Sequence, residues 1–124
     1  MKERRRHPRL KEETTVEVTI LSAPDVPALE NRSFTCSTLD MSLYGMRLSL
    51  DQPVPVGETL ELRLASRNPT GTFWHIGRVM WSKQSERDKA RHLIGLQFTK
   101  TPEATLVEWE KSLRAKLVRA GNHV

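Results

Sequence analysis

Six short segments between residues 14 and 98 carry apolar side chains at every second position, and turn-forming residues separate them. That period belongs to half-buried strands, whose side chains point alternately to the two faces of a sheet. In "TTVEVTIL" (14–21), Val16, Val18 and Ile20 share one face. In "GMRLSL" (45–50) the inward set is Met46, Leu48 and Leu50, and in "ETLELRLA" (58–65) it is Leu60, Leu62 and Leu64. "RSFTCSTL" (32–39), "FWHIGRVMWS" (73–82) and "HLIGLQF" (92–98) complete the set. No helical pattern lies between consecutive segments, so none of them has the crossover that a parallel pair needs. The expectation is an all-β fold with a six-stranded antiparallel sheet, closed into a small barrel because closure removes exposed edges.

After residue 100 the period changes. Leu106, Trp109, Leu113 and Leu117 recur at helical spacing within "TPEATLVEWEKSLRAKLVRAG" (101–121). Thr101 suits the N-cap, Pro102 the first helical position and Gly121 the C-terminal cap. Acidic residues fall in the first half and basic ones in the second, as the helix dipole favours. This helix is expected to cover an open end or an outer face of the barrel. The 124 residues thus divide into an N-terminal arm (1–12), a barrel (13–99) and a C-terminal helix (101–121), all one domain.

Charge is distributed unevenly. The net charge is +5, and four of those five charges arise in residues 1–10, where Lys2, Arg4, Arg5, Arg6 and Arg9 oppose Glu3. A near-neutral body with one cationic arm points to a local anion site rather than a long nucleic-acid track. The arm holds too little apolar surface to offset its ordering entropy, so a flexible arm is expected. No apolar run has the length of a membrane span, and no apolar stretch follows the basic start as in a secretory leader. With a single cysteine, Cys36, there is no internal disulfide, which fits a cytoplasmic protein.

Two short motifs give the arm a purpose. "LDMSLYGMRL" (39–48) contains Asp40, Ser42 and Gly45 in the pattern D-x-S-x-x-G, and Arg5 and Arg9 form R-x-x-x-R. Together with "GRVMW" (77–81) and "IGLQF" (94–98), in this order, they resemble the PilZ domain family of cyclic di-GMP receptors. The resemblance implies a PilZ-type barrel that binds cyclic di-GMP, a ligand with two phosphates and two guanines. It assigns Arg5 and Arg9 to the arm side of the site, and Asp40, Ser42 and Gly45 to the barrel side. The chemistry agrees. A guanidinium takes phosphate oxygens or the O6/N7 edge of guanine, and it stacks on bases. Asp40 supplies an acceptor for guanine's N–H edge, and Ser42 a small hydroxyl. Gly45 suits a turn with positive φ or a base lying on bare backbone. Arg4 precedes the arginine motif, at a position that the family links to the number of ligands held. It is assigned to a second, stacked cyclic di-GMP molecule, and Arg6 to an added phosphate contact.

Other readings are weaker. Nucleophile elbow, P-loop and dinucleotide fingerprint are absent, so an enzyme is not expected. His7, His75, His92 and His123 have no metal-like spacing with Cys36, which reads as a core residue. Trp74, Trp81 and Trp109 offer a base-stacking surface as one reading, but Trp81 and Trp109 read as core, although strand five is expected to pass near the ligand. A barrel that binds single-stranded nucleic acid would spread its basic and aromatic residues along a groove, and only 6% of these residues are aromatic. A PilZ-like interaction module without nucleotide binding remains as an alternative, which the intact arginine motif disfavours. No cofactor is called for. The expected function is a cytoplasmic cyclic di-GMP receptor that orders its arm on binding and signals through an unidentified downstream protein.

Overall fold

A computed structural model describes residues 14–67 and 70–119. Six strands follow one another: β1 (Thr15–Ser22), β2 (Ser33–Met41), β3 (Gly45–Leu50), β4 (Thr59–Arg67), β5 (Thr70–Gln84) and β6 (His92–Lys100). A 3-10 turn at Pro27–Leu29 lies between β1 and β2, and the helix α1 spans Glu103–Arg119. The strands form a closed barrel in the order β1-β2-β3-β6-β5-β4, with every pair antiparallel.

Closure rests on the alternation seen in the sequence. β1 meets β4 in the register Val16↔Leu64, Val18↔Leu62 and Ile20↔Leu60. All six side chains are buried, each at 2% exposure or less. Burying one such side chain contributes roughly 1.5–3 kcal/mol, so this seam is held by core packing as much as by its ladder. A register slip by one residue would turn all six outward.

The helix seals one end of the barrel. Trp109 sits edge-on to Phe73 and His75, with centroids 5.1 and 4.8 Å away, and Leu113, on the same face of α1, is buried as well. His75 lies flat on Phe98 at 4.0 Å. Thr101, expected as the N-cap, spends its hydroxyl on His75 Nδ1 at 2.9 Å, and the first helical bond runs from Leu106 N–H to the Pro102 carbonyl. Gly121 lies outside the described residues.

Candidate functional site

Two of the barrel's register shifts, in β2 between Thr38 and Asp40 and in β5 between Val79 and Trp81, flank the same strand pair, β3 and β6. In β2, Cys36 and Thr38 point inward, and strict alternation would bury Asp40 in the core beside them. A register shift between Thr38 and Asp40 inserts Leu39, which is 40% exposed. Asp40 thereby pairs with Arg47, and Met41 with the core residue Met46. β5 does the same. A shift between Val79 and Trp81 rotates Trp81 out of the barrel, against the expectation of a core residue. A bulge re-aims the side chains beyond it by half a period.

The consequence is a continuous outer rung across four strands. Asp40 pairs with Arg47, Arg47 with Gly95, and Gly95 with Trp81. A Cβ on Gly95 would run into the Trp81 indole, so the missing side chain is what lets the ring lie over β6. Trp81 remains 37% exposed, with Lys83 Nζ 5.9 Å from its ring centroid. At the other end of the rung, the Asp40 carboxylate accepts from Arg47 Nε at 2.8 Å, and Nη2 pairs with the same oxygen. The hydrogen bond to Asp40 holds the Arg47 guanidinium still more firmly in its charged form, against an opposing desolvation and with a smaller contribution from the Asp40 charge.

The rest of the motif is a closed turn. Ser42 donates its N–H to the Gly45 carbonyl at 2.8 Å and its hydroxyl to the same oxygen at 3.3 Å. The Ser42 carbonyl accepts from Trp109 Nε1 at 3.1 Å, and the Tyr44 carbonyl from Phe98 N–H at 2.8 Å. The turn is thus tied to α1 and to β6. Gly45 is not among the described residues with positive φ. Its requirement is steric: a Cβ there would collide with the Leu96 carbonyl oxygen of the neighbouring strand.

Asp40, Ser42 and Gly45 are therefore brought together at one edge of the rung. Arg4, Arg5, Arg6 and Arg9 lie outside the described residues. Arg47 is an addition that the sequence did not reveal, and Trp81, read there as core, is turned outward, since a bulge leaves no mark on a period-two pattern. Cys36 is buried, and desolvation pushes its thiol up to about 12, so it is an inert core residue. Among the described residues, no group of three His, Cys, Asp or Glu side chains is placed to hold a metal ion. No described helix is long and apolar enough to cross a membrane.

Residues 3–118 match the sequence profile of the PilZ domain. The chain belongs to the PilZ domain family. Solved PilZ structures share its fold. The PilZ domain of YcgR from Escherichia coli, determined with c-di-GMP, superposes with a TM-score of 0.70 at 14% identity and covers 95% of each chain. The Bacillus subtilis inhibitor of motility MotI/DgrA gives 0.75 at 13% identity, over 95% of this chain and 52% of that one. The K. pneumonia MrkH–c-di-GMP complex gives 0.71 at 18% identity, over 96% of this chain and 54% of that one. This PilZ chain thus spans about half the length of MotI and MrkH. At such identities the likeness is one of fold. No curated protein matches the sequence closely enough to count as a relative.

Proposed function

We propose that this PilZ domain is a receptor for cyclic di-GMP. The observation that carries the reading is the union of a pre-formed D-x-S-x-x-G turn with an outer rung that presents the half-open indole of Trp81. Guanine offers N–H donors to a carboxylate and a flat face to an indole, and phosphate offers charge to guanidinium groups. Arg5 and Arg9 then clamp the ligand from the arm, Arg4 stabilises a second stacked molecule, and Arg6 adds a phosphate contact. The arm becomes ordered over the rung on binding, and the newly formed surface is read by a downstream protein. The solved relatives YcgR and MrkH, each determined with c-di-GMP, support this assignment of ligand.

The test is a calorimetric titration with cyclic di-GMP, GMP and a short oligonucleotide at two salt concentrations. Binding of cyclic di-GMP alone, with two molecules per chain at saturation, is expected. Arg5→Ala and Arg9→Ala should each weaken binding by roughly 1–3 kcal/mol, the scale of a bidentate Arg–guanine contact. Asp40→Ala and Ser42→Ala should also weaken it, but both residues are buried and their loss also costs stability. The arginine pair is therefore the cleaner probe, and unchanged affinity in both arginine variants would refute the site. Trypsin reports the arm: cleavage at Arg4–Arg6 should slow with ligand, while cleavage between Lys83 and Arg91 should not. Equal rates with and without ligand would remove the clamping step.

A further inference from the structure

The carboxylate that the motif offers to guanine is already occupied. Arg47 places Nε 2.8 Å from Asp40 Oδ2 and pairs Nη2 with the same oxygen. The two competitors carry the same donor array. In guanine, N1–H and the exocyclic N2–H2 flank one carbon; in arginine, Nε–H and Nη2–H2 flank Cζ. Each presents a planar pair of N–H donors that fits a carboxylate. The two members differ in exposure. The Asp40 side chain is 0% exposed and that of Arg47 is 41% exposed, so the arginine is the member of the pair that solvent reaches.

We infer that Arg47 is a built-in stand-in for guanine, held on Asp40 until the ligand displaces it. This rests on the reading of the rung as a cyclic di-GMP site. The pair makes the binding-competent state only a fraction of the population, and the apparent affinity falls by that fraction. It also sharpens selection. Only a base edge with two N–H donors replaces what Arg47 provides. Adenine, whose N1 is an acceptor, leaves the arginine in place and gains nothing from Asp40. Once released, the guanidinium stays on the outer face of β3, between the motif and Trp81, where the ligand's phosphate charge compensates it.

Arg47→Met tests this, because it keeps an unbranched stem on β3 and removes every donor. Calorimetry at pH 8 should show cyclic di-GMP binding the variant roughly tenfold more tightly than the wild type, the scale of a charge-assisted hydrogen bond made net of competition. Millimolar ethylguanidinium added to the variant should return its affinity toward the wild-type value. Binding by the variant that is equal to or weaker than wild type overturns the inference and leaves the receptor reading intact. A wild type that does not bind cyclic di-GMP overturns both. A second measurement needs no substitution. The Arg47 Nε–H resonance should be protected from exchange in the free wild-type protein, lose that protection on saturation with cyclic di-GMP, and keep it with cyclic di-AMP. Protection that persists with cyclic di-GMP also refutes displacement.

Discussion

The indole N–H of Trp109 donates to the carbonyl oxygen of Ser42 at 3.1 Å, joining residues 67 positions apart. The helix that seals the barrel and the turn that bears the D-x-S-x-x-G motif are thereby one unit. Both residues are buried, so bulk water does not readily replace the bond if either partner is lost.

Trp109→Phe should isolate this bond, since it retains a ring against Phe73 and His75 but removes the donor. Loss of this buried bond costs about 1–3 kcal/mol in urea unfolding. Cyclic di-GMP affinity should fall in parallel, because the turn loses its tie to α1. A stability loss with no change in affinity would separate the helix from the site.

Gly45→Ala and Gly95→Ala should behave differently, although each puts a methyl group into a clash. At Gly45 the obstacle is the backbone carbonyl of Leu96, which is fixed in the β3–β6 ladder. The expected cost there is about 3 kcal/mol or more, at or above the upper end of ordinary overpacking. At Gly95 the obstacle is the Trp81 indole, a side chain that can swing away. Stability should change little, while the Trp81 indole N–H resonance shifts and nucleotide binding weakens. Denaturant melts and NMR of both variants check the contrast.

His75 makes the barrel end sensitive to acid. Burial pushes its imidazole down to about 4 from an ordinary 6.5, and its Nε2 has no hydrogen-bond partner. The folded state therefore holds the neutral ring, and the unfolded chain takes up the proton first. The stabilisation is complete above pH 6.5 and is lost as pH falls from there through about 4. That interval corresponds to roughly 3 kcal/mol, and the ring is 0% exposed, so little solvent screening reduces it. His75→Gln, which can still meet Thr101, should flatten stability between pH 4 and 6.5 relative to wild type. Parallel pH profiles for the two proteins would exclude His75 as the source.

Glu58 has the opposite sign. Its carboxylate is buried, neither oxygen has a hydrogen-bond partner, and its pKa is raised by desolvation first and by Asp25 second. Stability from the neutral form is present below the ordinary carboxylate pKa and is lost as pH rises through the raised one. Glu58→Gln should therefore stabilise the protein at neutral pH by about 1–3 kcal/mol. The gain should shrink as pH falls through the carboxylate range. A gain that is constant from pH 3 to 7 would place its origin elsewhere than in ionisation.

Much of the barrel was legible in the sequence. Val16, Val18, Ile20, Met46, Leu48, Leu50, Leu60, Leu62 and Leu64 all face the core, as their alternation required. Water sorts these side chains locally, and a period of two needs no knowledge of partners. Residues 66–72 were less legible. "SRNPTGT" has the composition of a turn, yet β4 runs to Arg67 and β5 starts at Thr70, because ladder pairing carries the hairpin out to its tip. The choice for the helix between a barrel end and an outer face was also open, and the indole of Trp109 against Phe73, His75 and Ser42 settles it.

By itself, the sequence determined six alternating strands, the terminal helix, the charged arm and the motif residues Asp40, Ser42 and Gly45. These depend on side-chain chemistry and on neighbours a few residues away. Only the tertiary structure decided which way Asp40 and Trp81 point. Two single-residue shifts, at Leu39 and beside Met80, reverse the faces of the residues beyond them, and each is set by the partner strand's register. Closure of the barrel then brings β2, β3, β6 and β5 side by side, although β3 and β6 are far apart in the chain. The pairing of Asp40 with Arg47, and the indole of Trp81 over Gly95, result from that adjacency, which no local pattern encodes.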